Sequence, residues 1–288
     1  MTDVLGQFNY FQWKPLFNEE KPYYLYTDPP PGLPNANFST KPGDAETVHD
    51  VRGRENEFNL DNHGFAFTRQ KYPFSLKDID PVTMKTQYLP SLEGLIREQL
   101  QQDCEIFWFD WRKRSSDDNK SKFPDGTVIS LEDRFVTLAP IRAVHVDQTP
   151  AAAIDRVYRH VPERAEELLK TKRFRIINVW RPIGDTPVEN FPLAFMDGSS
   201  VPEGNLIVVD VVRRSFPGES YYPLEGRGYR WHFLNHQTQD EVLFMKMNDS
   251  NESVKAKCCP HASFAQSEDP SAKPRESIEV RALVFTDE

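Results

Sequence analysis

The chain has 288 residues, 38% hydrophobic and 12% aromatic, which suits one large domain or two modest ones with enough apolar mass for a core. A net charge of −9 and a pI near 5.4 argue against a nucleic-acid surface, and no apolar leader or run of 18 apolar residues points to a signal peptide or membrane span. Three cysteines, Cys104, Cys258 and Cys259, make no disulfide framework, so a reducing cytoplasm is the expected setting.

Residues 1–45, rich in Pro, Asn, Tyr and Phe, read as an extended arm anchored by Phe8, Tyr10, Phe11, Trp13, Tyr23 and Tyr24. Residues 46–288 read as a single β core. Thr47 to Gly53 looks like a strand entering a turn. His49 and Asp50 are adjacent and point to opposite faces, which favours a structural role. Phe65-Ala66-Phe67 is a short strand. Leu89 to Leu100 places apolar residues at helical spacing with Ser91 as a candidate cap. Cys104 to Trp111 is an aromatic strand, and the charged run from Arg112 to Asp125 reads as a mobile loop.

Val144-His145-Val146-Asp147-Gln148 carries the first chemistry. On an extended strand His145 and Asp147 share a face while the valines take the other. An imidazole and a carboxylate so placed can bind one divalent metal. A further histidine would complete a 2-His-1-carboxylate triad with positions left open for O2 and substrate. A helical insert at about 150–172 follows, with Ile154, Val157, Tyr158 and Val161 as its apolar face, Pro162 restarting it, and His160 read as surface. From Phe174 the pattern is strands: Phe174 to Pro182, Leu193 to Asp197, Asn205 to Val212, Gly228 to Leu234, Asp240 to Met247 and Ser277 to Phe285. Many strands between turn residues indicate a mainly β fold.

His160, His232, His236 and His261 are the candidates for the third ligand. His261 is favoured because Arg275-Glu276-Ser277 follows it; Arg275 and Ser277 share a strand face and suit a carboxylate. A Cys258-Cys259-Pro260-His261 zinc site is the rival reading of that stretch, disfavoured because consecutive cysteines point apart on a strand. Arg181, Arg281, Trp180 and Asn178 are possible substrate or co-substrate contacts, with ion pairing or core packing as their ordinary alternatives.

The order His-x-Asp, distal His, Arg-x-Ser resembles that of iron(II)/2-oxoglutarate oxygenases of the double-stranded β-helix (jelly-roll) fold. Val144 to Gln148, Ile177 to Ile183, Asp240 to Leu243, Pro260 to Phe264 and Arg275 to Phe285 are similar to one fungal hydroxylase/desaturase family. That family includes gibberellin desaturase and resembles the smaller protein of cephem 7-methoxylation. The similarity covers roughly Thr47 to the C-terminus. It implies Fe(II) on His145, Asp147 and His261, 2-oxoglutarate on Arg275 and Ser277, and O2 as oxidant. Hydroxylation, desaturation or ring closure of a small molecule of specialised metabolism would follow from hydrogen abstraction at a C–H bond. His232, where the family leads one to expect an aromatic hydroxyl, and the Cys258-Cys259 pair are departures from that pattern.

An iron oxidase of this fold without 2-oxoglutarate, and a non-catalytic partner subunit, are the competing functions. The acidic chain does not steer an anionic substrate over long range, and the aromatic arm hints at an apolar or cyclic one. No nucleic-acid or membrane partner is expected. A homodimer, or a hetero-oligomer with a related subunit, is the expected assembly.

Overall fold

Alternating apolar and polar residues sort the strands into three hydrogen-bonded sheets in the computed structural model, which describes residues 2–27, 29–123, 133–267, 269 and 271–287. In chain order the strands are β1 (Val4–Phe11), β2 (Tyr23–Leu25), β3 (Thr40–Asp50), β4 (Phe65–Arg69), β5 (Glu105–Ser115), β6 (Thr137–Leu138) and β7 (Arg173–Pro182). Then come β8 (Leu193–Met196), β9 (Leu206–Val212), β10 (Pro217–Pro223), β11 (Trp231–Phe233), β12 (Glu241–Asp249), β13 (His261–Ser263) and β14 (Glu276–Thr286). The helices are α1 (Pro81–Thr83), α2 (Leu89–Leu100), α3 (Asp118–Ser121), α4 (Pro150–His160) and α5 (Ala165–Thr171).

The largest sheet has the order β4-β12-β7-β14-β5-β6. β14 shows how its two faces differ. Ile278, Val280, Ala282 and Val284 pack outward in one core cluster with Leu92 and Ile96 of α2. Leu283 and Phe285 point inward to the other core, as do Ile176 and Trp180 of β7. Nearer the start of β14 the inward positions turn polar: Ser277, Glu279 and Arg281. Half of the inner face is therefore hydrophobic ballast and half is a site.

The other sheets are β1-β3-β11-β8-β13 and β10-β9-β2. Residues 141–146 join them without forming a regular strand. Ala143 bridges Asn9 of β1, His145 bridges His261 of β13, and Val146 bridges Tyr221 of β10. Since β1 pairs with β3 on its other side, the pairings of the five-stranded sheet close into a ring through this segment. Inside it Phe8 stacks on Trp231 at 3.9 Å between ring centroids, and Val144, Ala194 and Phe264 fill in around them. The fold is the expected jelly roll.

Several local expectations change. The first 45 residues are not merely wrapped around the body: β1 is a ring member paired along β3, and β2 extends the three-stranded sheet. Trp13, expected as an anchor, is 45% exposed. Ser91 caps nothing; α2 continues a helix that begins at Asp80, whose carboxylate accepts from the Val82 and Thr83 amides. Arg112 to Ser115 extend β5 instead of opening a loop, because β14 pairs with them throughout; Pro124 and Asp125 of that loop lie outside the described residues. The buried stripe of α4 is Ala152, Ala153 and Val157, not Ile154 and Tyr158, which are exposed. Thr149 sets that phase by accepting the Ala152 amide as N-cap, and small alanines let the helix approach the sheets closely. His160 is half-buried against the Phe109 ring instead of lying on the surface.

Candidate metal centre and its cleft

The backbone places the two candidate histidines face to face. His145 and His261 donate their amides to each other's carbonyls at 3.2 and 3.0 Å, an antiparallel pair that brings their ring centroids to 4.5 Å. In each ring Nδ1 is held by a main-chain carbonyl two residues earlier: Ala143 at 2.9 Å for His145, Cys259 at 3.1 Å for His261. That fixes the tautomer with Nδ1 protonated and leaves the Nε2 lone pair aimed at the site, the state a metal ligand needs. Burial holds His261 neutral, with its pKa lowered to about 4.

Asp147 completes the set. One ligand atom from each of His145, Asp147 and His261 lies within 4.8 Å of the others, and among the described residues this is the one His/Cys/Asp/Glu cluster so arranged. The two carboxylate oxygens have separate tasks. Oδ2 accepts from Asn178 at 2.7 Å and pairs with Arg281 at 3.0 Å; Oδ1 faces His145 Nε2 at 3.6 Å. Burial opposes ionisation of Asp147, but Arg281 and the histidines hold its pKa well below the usual carboxylate range. Two imidazole nitrogens and one charged oxygen facing a common point fit a divalent iron.

Arg281 is a hub with three acidic neighbours: Asp147, Glu279 at 2.7 Å and Asp110 at 3.3 Å. Arg275 is the opposite case. It is 3% exposed, donates to Ser277 Oγ at 2.6 Å and lies over the Trp180 ring, yet its Nε has no hydrogen-bond partner. Burial depresses its pKa to about 9, so it remains charged at neutral pH. A smaller chamber of about 320 Å3, measured out to its opening, runs from His145 and His261 to Arg275, walled by Trp180, Leu193 and Ser263. A wider cleft of about 1030 Å3, measured out to its open mouth, meets the same metal centre at His145 and Asp147. It is walled by α4, the β9–β10 hairpin and Tyr26.

The expected residues therefore converge, with one exception. Arg181 is fully buried on the outer face of β7, where it donates to the Gln239 and Gln70 carbonyls and to Gln70 Oε1. Its odd position in the strand turns it away from Asn178 and Trp180. His232 lies apart from the triad among Phe58, Phe65 and His49. The zinc alternative is not supported by the geometry: among the described residues neither Cys258 nor Cys259 joins a cluster of three or more potential ligands, and Cys259 Sγ donates to the Met196 carbonyl. Sequence reasoning missed Asp110, Arg112, Arg114, Arg156 and Arg213, which reach the site from β5, α4 and β9's end. Alternation in β5 was a signal for the first three: Asp110 lies within the strand expected from Cys104 to Trp111, and Arg112 and Arg114 follow on the same face.

Known proteins show the same arrangement of chain. A family profile described as an oxidoreductase/YMDC permease-like domain matches residues 8–285. Among the described residues no helix is long and apolar enough to cross a membrane. The chain is 33% identical over 274 residues to the Fe(II)/2-oxoglutarate-dependent dioxygenase nvfI of Aspergillus novofumigatus, covering 93% of this chain and 91% of that protein. It is 31% identical over 266 residues to the hydroxylase/desaturase efuI of Hormonema carpetanum, covering 88% and 86%. The solved structure of the iron and alpha-ketoglutarate-dependent endoperoxidase NvfI superposes with a TM-score of 0.83 at 30% identity, over 100% of this chain and 99% of that one.

Proposed function

Because the chain belongs to the fungal hydroxylase/desaturase family of Fe(II)/2-oxoglutarate-dependent oxygenases, we propose specific residues for each part of that activity. His145, Asp147 and His261 hold the iron. Arg275 and Ser277 take the distal carboxylate of 2-oxoglutarate in the smaller chamber, and the substrate enters by the wide cleft. When bound, iron with 2-oxoglutarate and O2 supplies the oxidising power for attack on a substrate C–H bond.

The residues of the chain do the holding and aiming. The carbonyls of Ala143 and Cys259 fix the imidazole tautomers. Asn178 and Arg281 occupy Oδ2 of Asp147 and turn Oδ1 toward the metal position. Trp180 and Leu193 form the apolar side of the chamber beside the buried Arg275, where a carboxylate meets a guanidinium that is 3% exposed. Arg281 is already balanced by Asp147, Glu279 and Asp110, whereas Arg275 has an unmet donor. That contrast makes Arg275 the anchor for 2-oxoglutarate and Arg281 a positioning residue. The three cysteines are free thiols, which suits work in the cytoplasm.

The single observation that carries this reading is the paired Nε2, Nε2 and Oδ1 donors one chamber away from an unsatisfied buried guanidinium. Anaerobic titration of apoprotein with Fe(II) and then 2-oxoglutarate tests it. The expected result is a visible charge-transfer band that requires both additions, is absent in His261→Ala, and needs roughly tenfold or more 2-oxoglutarate in Arg275→Ala, the loss of about 1.5–3 kcal/mol of charge-assisted bonding. Iron binding without any band would replace this reading by an oxidase that does not use 2-oxoglutarate. Failure to bind iron would replace it by a non-catalytic subunit.

A further inference from the structure

The open cleft contains more positive charge than its own carboxylates neutralise. Arg281 and Arg112 have acidic partners in Asp147, Glu279 and Asp110. Arg156 of α4 and Arg213, just after β9, have none among the described residues. Instead both guanidiniums lie against the Phe216 ring, 4.3 and 5.3 Å from its centroid, with Arg159 on the same ring at 3.6 Å. Arg213 also lies 5.7 Å from the Tyr26 ring, and its buried Nε has no hydrogen-bond partner.

Like charges gathered on one ring repel, and burial makes the repulsion worse. The pKa of Arg156 is lowered to about 9, first by burial and next by Arg213 and Arg281; that of Arg213 is lowered by burial and then by Arg281, with Asp110 offsetting part of the effect on both. The carboxylates at hand are committed elsewhere. Asp110 serves Arg112, Arg134 and Arg281, and Glu219 is held by Lys21 and Thr149. Asp155 lines the cleft but is exposed and makes no ion pair with either arginine among the described residues. Around the charges the wall is apolar: Ile141, Ala152, Val211, Pro217 and Phe216.

We propose that the substrate carries a carboxylate on an apolar skeleton, and that Arg156 and Arg213 bind this carboxylate while the skeleton rests on the cleft wall beside the metal centre. The inference rests on the oxygenase reading and adds the substrate class. It is separate from the co-substrate anchor, because Arg275 lines the smaller chamber and not the wide cleft, while Arg156 and Arg213 line the wide cleft and not the chamber. The acidic net charge does not oppose it: long-range steering and local complementarity are different quantities, and the local field here is positive.

The test compares 1-naphthoate with its neutral analogue 1-naphthamide by calorimetry, on protein loaded with Fe(II) and saturating 2-oxoglutarate without O2. Saturating 2-oxoglutarate keeps the acid out of the Arg275 chamber. The acid is expected to bind at least tenfold more tightly than the amide. That preference should survive in Arg213→Lys and vanish in the Arg156→Gln, Arg213→Gln double variant, whose charge-transfer band stays unchanged. Equal affinities, no binding of the acid, or a preference that persists in the double variant would overturn the proposal. Absence of the band from the unsubstituted protein would count against the oxygenase reading instead, and the acid–amide comparison would still decide whether the cleft binds anions.

Discussion

Asp147 is a single carboxylate divided between two tasks, and Asn178 enforces the division. Its amide and the Arg281 guanidinium both approach Oδ2, so removing one partner frees the carboxylate to rotate without removing a ligand. Asn178→Ala is therefore expected to lower Fe(II) affinity about tenfold to a hundredfold, with the melting temperature of the apoprotein nearly unchanged. Metal titration with a thermal melt on the same sample checks both halves. At this scale the sequence was informative. His145, Asp147, Arg275 and Ser277 were readable because strand alternation decides which of their neighbours share a face. That rule also placed Asn178 beside Trp180, but it could not name Asp147 as the partner of Asn178, since that contact crosses from one sheet to another.

Among the elements, Val144 to Gln148 was read as a strand, and residues 143–146 proved to be a chain of bridges to different neighbours. No local pattern encodes that, because the partners come from β1, β10 and β13. The backbone that delivers His261 is similarly dependent on a distant residue. Gly198 sits so close to it that a Cβ there would lie 2.0 Å from the Cys258 carbonyl oxygen, and the Gly198 amide donates to the His63 carbonyl. Gly198→Ala should push residues 258–260 outward, destabilise the fold by about 1–3 kcal/mol as an overpacked site does, and weaken iron binding along with it. Urea unfolding and metal titration would show the two losses together; a loss of stability with unaltered iron affinity would mean that β13 is held by its pairing with β8 alone. The phase of α4 was missed for a related reason. Ile154 and Tyr158 make a plausible apolar stripe, yet the Thr149 cap and the close approach of Ala152 and Ala153 rotate the helix so that they face solvent.

Across the whole molecule, charge is unevenly distributed in a way that composition conceals. A chain of net charge −9 surrounds its cleft with guanidiniums and buries histidines that do not take up protons readily. His160 and His232 are both lowered from 6.5 to about 4, chiefly by burial. Below 6.5 the unfolded chain binds protons at these positions and the folded chain does not until about pH 4. Their contribution to stability is thus intact above 6.5 and is lost as pH falls from 6.5 to about 4. Apoprotein melting temperature should decline over that window, and His232→Phe, set among Phe58 and Phe65, should flatten the decline. An unchanged slope would assign the acid sensitivity to other groups.

The ring closed by residues 141–146 separates what must stay constant from what can vary. The two histidine ligands are positioned by main-chain pairing in the ring, which depends little on side-chain identity, and Asp147 by Asn178 and Arg281 of the large sheet. The walls of the wide cleft come from α4 and the loop holding Arg213 and Phe216, which lie outside it. Substitutions there can redraw the shape and charge of the cleft while the reactive centre keeps its geometry. An architecture of this kind makes the reactive centre and the cleft wall separately adjustable parts.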